Sequence, residues 1–140
     1  MIQDKIPSNY LAISEEEVAG LDWKAYIKDE TTGKCYVIPY GTWYIGRKDE
    51  DREGCPENME VSIPIETEDL YMSRVHAVMT LRKNIIGENS LFIRDTKSRK
   101  NSTLVDGFGI ENYYDFQVFD NSVLRIGRTL FSVWLNPLNK

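Results

Sequence analysis

The feature that most constrains this chain is a succession of short runs rich in aromatic and β-branched residues, each closed by turn-forming residues. The runs begin near Trp23, where residues 23–28 and 34–38 flank the turn-like Thr31-Thr32-Gly33 and predict a hairpin. Residues 123–127 and 130–134 predict another hairpin near the end of the chain. Many short strands at regular spacing predict an all-β sandwich or barrel.

Between these hairpins the same pattern predicts further strands, at residues 42–46, 75–81, 91–94, 103–105 and 114–119. Residues 47–60 are polar and charged and predict a long surface loop. Ile63 and Ile65 belong to a short alternating run that contains Pro64. Because proline has no backbone N–H to donate, Pro64 predicts a strand at the edge of a sheet.

The first 22 residues lack the strand pattern. Ser14, followed three residues later by Glu17, matches a capping box and predicts a short helix, although a loose arm fits the segment equally well. We therefore divide the chain into an N-terminal arm (1–22), one β-sandwich domain (23–136) and a C-terminal tail (137–140).

Charge and composition exclude several classes of function. The 140 residues carry a net charge of −5, with a sequence pI near 4.9, and this balance disfavours a nucleic-acid partner. The sequence has neither an apolar run of about 18 residues nor a basic and then apolar N-terminus, so we expect a cytoplasmic protein without a membrane partner.

The residues that bind metals are few. The chain has two cysteines, Cys35 and Cys55, and one histidine, His76, and their spacing matches no zinc pattern. A disulfide between the cysteines stays open, and two reduced thiols are the interpretation we favour. We expect no metal and no cofactor.

Four motifs follow one another in the order of a known family. They are Tyr44-Ile45-Gly46-Arg47, then Ser73-Arg74-Val75-His76-Ala77, then a polar stretch at 95–107, and last Val123-Leu124-Arg125-Ile126-Gly127. Together they resemble the forkhead-associated (FHA) family over about residues 23–134. The resemblance implies a two-sheet β-sandwich of mostly antiparallel strands, with loops at one end that bind a phosphothreonine peptide.

The resemblance also implies residue roles. Arg47 and Ser73 would bind the phosphate, with Arg74 beside the site and Lys100 lining it, while Asn101 would hold the peptide main chain. The residues implied to support the site are Gly46, His76, Thr103 and Gly107. These residue types suit the chemistry, because a phosphothreonine carries about two negative charges and three acceptor oxygens, and a guanidinium pairs with phosphate through two parallel hydrogen bonds.

The chain departs from the family pattern in the third motif. One extra residue separates Ser98 from Asn101, Ser102 stands where the family has glycine, and Asp106-Gly107 replaces an Asn-Gly pair. Nearby, Glu66, Glu68 and Asp69 make the approach to Ser73 acidic. We expect these carboxylates to repel acidic residues that flank a phosphothreonine, or to attract basic ones.

The function predicted from the sequence is recognition of a threonine-phosphorylated partner, a substrate of a serine/threonine kinase, in signalling or assembly. The alternative is a phospho-independent protein–protein scaffold of the same fold. An enzyme is disfavoured, because His76 has no nucleophile or acid motif to complete a catalytic set.

Overall fold

Two β-sheets packed face to face make up most of the protein. The computed structural model describes residues 12–48, 63–96, 102–110 and 114–137. These residues form helix α1 (Glu15–Ala19) and the strands β1 (Ala25–Asp29), β2 (Cys35–Val37), β3 (Gly41–Arg47), β4 (Ile63–Ile65), β5 (Ala77–Lys83), β6 (Asn89–Asp95), β7 (Thr103–Val105), β8 (Phe108–Gly109), β9 (Phe116–Val118), β10 (Val123–Ile126) and β11 (Thr129–Leu135). The predicted all-β sandwich of mostly antiparallel strands is confirmed.

The strand order explains which loops meet. The first sheet runs β2-β1-β11-β10-β7-β8 and the second runs β4-β3-β5-β6-β9. Both predicted hairpins, β1–β2 and β10–β11, are present as antiparallel pairs. Strand β4 pairs in parallel with β3 and forms an edge of the second sheet, as Pro64 predicted.

The core lies between the two sheets and follows the alternation of the strands. In β11 the residues Phe131, Val133 and Leu135 are buried while their neighbours are more exposed. In β3 the side chains of Trp43 and Ile45 face the same core. Each large apolar side chain buried in this way contributes about 1.5–3 kcal/mol, so the sandwich holds its loop-bearing strand ends in fixed positions.

One strand begins later than its sequence pattern predicted. We expected a strand from residue 75, but β5 begins at Ala77. The Ser73 N–H donates to the Nδ1 atom of His76 at 3.0 Å, and the His76 N–H donates to the Ile45 carbonyl at 2.9 Å. The His76 side chain thus takes up one backbone N–H, that of Ser73, before the ladder begins, and residues 73–76 form a turn.

The predicted short helix is present as α1 and packs on the first sheet. Its capping box is complete, since Ser14 Oγ accepts from the Glu17 N–H at 3.1 Å and Glu17 Oε1 accepts from the Ser14 N–H at 2.9 Å. Val18 is buried in a small cluster with Tyr26, Cys35 and Val37. The domain boundaries at residues 22 and 136 stay a prediction.

Cys35 is buried, and burial raises the pKa of its thiol to about 11. Cys55 lies outside the described residues, so the choice between disulfide and thiol stays open. In the described ranges no helix is long and apolar enough to cross a membrane.

Candidate functional site

The motif residues come together where β3 ends, β5 and β7 begin, and the β10–β11 turn lies. The backbone joins these segments directly. The Arg47 N–H donates to the Ser73 carbonyl at 2.9 Å, and the Gly127 N–H donates to the Ser102 carbonyl at 3.1 Å. The hydrogen bond between His76 Nε2 and the Ser102 carbonyl joins these two pairs, so four chain segments far apart in sequence form one surface at this end of the sandwich.

Gly46 permits the close approach of the first two motifs. A Cβ atom at this position would lie 2.1 Å from the carbonyl oxygen of Arg74 and 2.5 Å from that of Ser73. Real Cβ atoms do not approach backbone oxygens this closely, so only glycine allows the 73–76 turn to pack against β3. Gly46 thereby places Arg47 beside Ser73.

Arg47 is held by one of its guanidinium nitrogens. Its Nε donates to the carbonyl oxygen of Met72 at 3.0 Å, and the side chain is half-buried. Neither its two terminal nitrogens nor the hydroxyl of Ser73 has a hydrogen-bond partner within the described part of the chain. A positively charged, oriented fork thus lies next to a hydroxyl donor, an arrangement that can bind a tetrahedral anion.

His76 joins the segments that carry the site. Its Nδ1 accepts the Ser73 N–H, so Nδ1 carries no proton and we assign the proton to Nε2. Nε2 then donates to the Ser102 carbonyl at 2.8 Å. The ring is buried and links the 73–76 turn to the beginning of β7, which is the geometry that a bracing role requires.

Ser102, where the family has glycine, adds a contact through its side chain. Its hydroxyl donates to Oδ2 of the buried Asp95 at 2.5 Å. Close by, the hydroxyl of Thr96 lies 2.8 Å from the carbonyls of both Val75 and His76. The chain thus replaces a flexible glycine by a serine tied to β6, and the segment that follows residue 101 is anchored at both its backbone and its side chain.

The acidic stretch before Ser73 is largely occupied by internal contacts. Asp69 accepts hydrogen bonds from the Tyr71 N–H, the Arg128 N–H and the Thr129 hydroxyl. Burial alone would raise the pKa of Asp69, but these hydrogen bonds lower it below its ordinary value of 3.8. Glu66 pairs with Lys34 at 2.8 Å and Lys48 at 3.8 Å, and the hydrogen bond from Lys34 lowers its pKa.

These contacts change what we expect for ligand residues that flank a phosphothreonine. Two of the three carboxylates, Glu66 and Asp69, are engaged within the protein. Glu68 is exposed and is the carboxylate of this stretch that has no ion pair or hydrogen bond among the described residues.

The remaining residues implied by the resemblance fall into three groups. Arg74 is half-buried in the turn after Ser73, and Thr103 is fully buried at the start of β7. Lys100 and Asn101 lie outside the described residues. Gly107 is not brought to the site, because it occupies the β7–β8 turn at the opposite end of β7 with a φ of 88°.

Sequence reasoning missed a groove that adjoins these residues. It has a volume of about 1030 Å³ and lies between the β1–β2 turn, the segment 66–71 and the β10–β11 turn. Its wall carries Tyr71 with the guanidinium carbon of Arg128 3.8 Å from the ring centroid. No sequence motif predicts this contact, because it depends on two turns that meet only in the folded chain.

A sequence model of the FHA domain matches residues 43–127, which is more than half of the chain. That range contains Arg47, Ser73, His76 and Ser102. A search of curated proteins found no relative that matches this chain.

Solved FHA domains have the same fold. One, from a structural and functional analysis of phosphothreonine-dependent FHA interactions, is 21% identical, with a TM-score of 0.60 over 81% of this chain and 98% of that one. The FHA domain of the CT664 protein from Chlamydia trachomatis is 22% identical, with a TM-score of 0.58 over 79% and 95%. The MEK1 FHA domain, in complex with a phosphothreonine peptide of HOP1, is 13% identical, with a TM-score of 0.57 over 81% and 98%.

Proposed function

This chain belongs to the FHA domain family, and from that premise we propose that it binds threonine-phosphorylated segments of partner proteins. The observation that carries the proposal is the fixed pair of Arg47 and Ser73. Arg47 Nε is held by the Met72 carbonyl at 3.0 Å, and the adjacent backbone of Arg47 is bonded to Ser73. The guanidinium of Arg47 is thus already held beside the Ser73 backbone before a ligand binds, which favours affinity.

In this proposal each motif residue has a defined task. Arg47 and Ser73 bind the phosphate, Arg74 and Lys100 add positive charge around it, and Asn101 holds the main chain of the ligand. Gly46, His76 and Thr103 keep these segments in place. The close approach at Gly46 and the two hydrogen bonds of the His76 ring support these supporting roles. The position of Gly107 at the far end of β7 does not support a role for it at the site.

The partner class follows from the same chemistry. The ligand is a protein phosphorylated by a serine/threonine kinase, and the chain acts as an interaction module in signalling or assembly rather than as an enzyme. Solved relatives engaged in phosphothreonine-dependent interactions support this proposal. We further propose that the protein is cytoplasmic, needs no cofactor, and has a partner that is neither nucleic acid nor membrane.

The test is a fluorescence-anisotropy titration with a phosphothreonine peptide library, beside phosphoserine and unphosphorylated versions. We expect phosphate-dependent binding that Arg47→Ala weakens by about 2–3 kcal/mol, since a charge-assisted hydrogen-bonded pair is lost. Arg125→Ala is the matched control, because Arg125 is an exposed arginine of β10 outside the cluster.

The outcomes separate the two candidate functions. Binding that requires the phosphate and Arg47, and that tolerates Arg125→Ala, supports phosphothreonine recognition. Partner binding that survives phosphatase treatment and Arg47→Ala would instead favour the phospho-independent scaffold.

A further inference from the structure

The two sheets described above end in four edge strands, which are β2, β8, β4 and β9. Alternate backbone N–H and C=O groups of an edge strand point away from its sheet and can pair with another chain. Proteins ordinarily block such edges with proline, with charged residues or with a segment that covers them. The way in which each edge is blocked therefore indicates which of them can take a partner.

Three of the four edges are blocked or very short. Strand β2 is covered by Ile13, whose N–H donates to the Cys35 carbonyl at 3.0 Å and whose carbonyl accepts the Cys35 N–H at 2.7 Å. Strand β4 carries Pro64, which has no N–H to donate. Strand β8 consists of only Phe108 and Gly109. These three edges offer little backbone to a new strand.

Strand β9 has none of these features within the part of the chain that the structure describes. Its residues Phe116, Gln117 and Val118 pair with β6 on one side, and none of them is charged or a proline. Aromatic side chains lie along this edge, because Tyr114, Phe116 and Phe119 are 60%, 37% and 58% exposed. An edge with open backbone groups and exposed aromatic side chains is typical of a surface that pairs with another strand.

The two carboxylates that flank β9 have partners within the protein. Asp115 lies 3.9 Å from Nη1 of Arg94, and Oδ1 of Asp120 accepts the Leu135 N–H at 2.9 Å. Neither carboxylate therefore blocks the edge in the way that a free charge in the strand does.

The sequence of β9 is complementary to itself in one antiparallel register. When Gln117 lies opposite Gln117 of a second copy, Phe116 lies opposite Val118 of that copy. An aromatic side chain opposite a β-branched one is a stabilising cross-strand pair, and it forms twice in this register. The two Gln117 amides each have a donor and an acceptor, so they can hydrogen-bond to one another at the centre.

The flanking residues also suit this register. Tyr114 lies opposite Asp120 of the second copy, and Asp115 lies opposite Phe119. Like charges that face each other across two strands are destabilising, and this register places none opposite each other. A phenol hydroxyl opposite a carboxylate can donate a hydrogen bond to it.

We propose that β9 pairs with β9 of a second copy about a two-fold axis at Gln117, which joins the two five-stranded sheets into one. Both copies use the same surface, as in most homodimers. Because the paired strands run in opposite directions, the Arg47–Ser73 surfaces of the two copies lie at opposite ends of the dimer and both stay open. Only a few residues of each copy meet, so we expect a weak dimer with a Kd of about 10–100 µM.

The experiment measures the mass of the particle by sedimentation velocity between about 5 and 500 µM, a range that brackets the expected Kd. The wild type shifts from the mass of one chain toward that of two. Gln117→Lys and Gln117→Glu each place like charges opposite each other and weaken the dimer at least about fivefold. An equal mixture of these two variants restores the dimer, because the charges at the axis are then opposite.

Thr42→Lys is the matched control, and it associates like the wild type. Thr42 is an exposed residue of β3 in the same sheet, and β5 and β6 lie between it and β9. Because Gln117 is exposed as well, its variants keep the wild-type urea midpoint, which shows that they are folded. Gln117→Lys also binds a phosphothreonine peptide with the wild-type Kd, since β9 lies outside the candidate site.

Three results would overturn the proposal. A wild type that stays monomeric at the highest concentration excludes the second copy, and a strand of a different protein is then the partner that fits the edge. A dimer that Gln117→Lys weakens no more than Thr42→Lys does uses another surface. A mixture of Gln117→Lys and Gln117→Glu that stays monomeric excludes the register with Gln117 at the axis.

Discussion

Individual residues decide how closely the loops of this sandwich approach one another. Gly46 and Gly127 both stand where a side chain would collide with backbone of the 71–74 segment. His76 and Asp69 then join the same segment to β7 and to the β10–β11 turn through hydrogen bonds. The 66–76 segment is therefore fixed from two sides, and the geometry of Arg47 and Arg128 depends on it.

Replacing Gly46 by alanine tests this dependence. The new Cβ would lie 2.1 Å from a backbone oxygen, so the 73–76 turn must move away from β3. We expect a loss of stability of about 1–3 kcal/mol in urea unfolding, as for other overpacked sites, together with weaker phosphopeptide binding. Gly20→Ala is the control, because its Cβ would meet nothing nearer than 3.6 Å. Equal urea midpoints for the two variants would contradict the argument.

At the scale of strands and turns, the sequence predicts much of the structure. Strand alternation and turn residues predicted both hairpins, and Pro64 predicted the edge strand β4. Strand β8 was not predicted, because two exposed residues leave no alternation to detect. Short-range patterns thus predict the elements and not the way in which they meet.

The candidate site likewise contains residues that the sequence could predict and contacts that it could not. Arg47 and Ser73 could be named in advance because each stands in a local motif that ends or precedes a strand. The pairing of Asp69 with Arg128 and Thr129 could not, since it joins residues 59 and 60 positions apart. The carboxylates of Glu66 and Asp69 look available in the sequence, and only the fold shows that they are engaged.

Helix α1 gives a prediction about a single element. Ser14→Ala removes the side-chain acceptor of the Glu17 N–H, and loss of an N-cap costs about 1 kcal/mol. Because Val18 packs against Tyr26 and Val37, we expect the urea midpoint of the whole domain to fall. Ser14→Asp retains an N-cap acceptor and should restore the midpoint. If Ser14→Ala unfolds at the wild-type midpoint, the helix contributes nothing to the domain.

The sandwich as a whole contains groups that respond to pH in opposite directions. The pKa values of Asp69 and Glu66 are lowered by their hydrogen-bond donors, whereas burial raises that of Cys35 to about 11 and that of Tyr36 to about 12. Each shift means that the folded state prefers one protonation form over the other. Stability is therefore linked to pH on both the acidic and the alkaline side.

The direction of the stability change on the acidic and the alkaline side follows from these shifts. A carboxylate with a lowered folded pKa stabilises the fold above its unfolded value, 3.8 for Asp69 and 4.5 for Glu66, and that contribution is lost as pH falls through the folded pKa. A thiol or phenol with a raised folded pKa destabilises the fold once pH exceeds its unfolded value, which is 9.0 for Cys35 and 10.0 for Tyr36.

We therefore expect the two carboxylates to lower the Tm as pH falls below about 5, and Cys35 and Tyr36 to lower it as pH rises above about 9, since the ordinary pKa values of these groups lie there. Differential scanning calorimetry from pH 3 to pH 11 measures both arms. Asp69→Asn lowers the Tm at neutral pH and makes the acidic arm shallower, because one ionisable group no longer contributes. Cys35→Ala makes the alkaline arm shallower and leaves the acidic arm unchanged. Parallel curves for the wild type and both variants would mean that other groups govern the pH dependence.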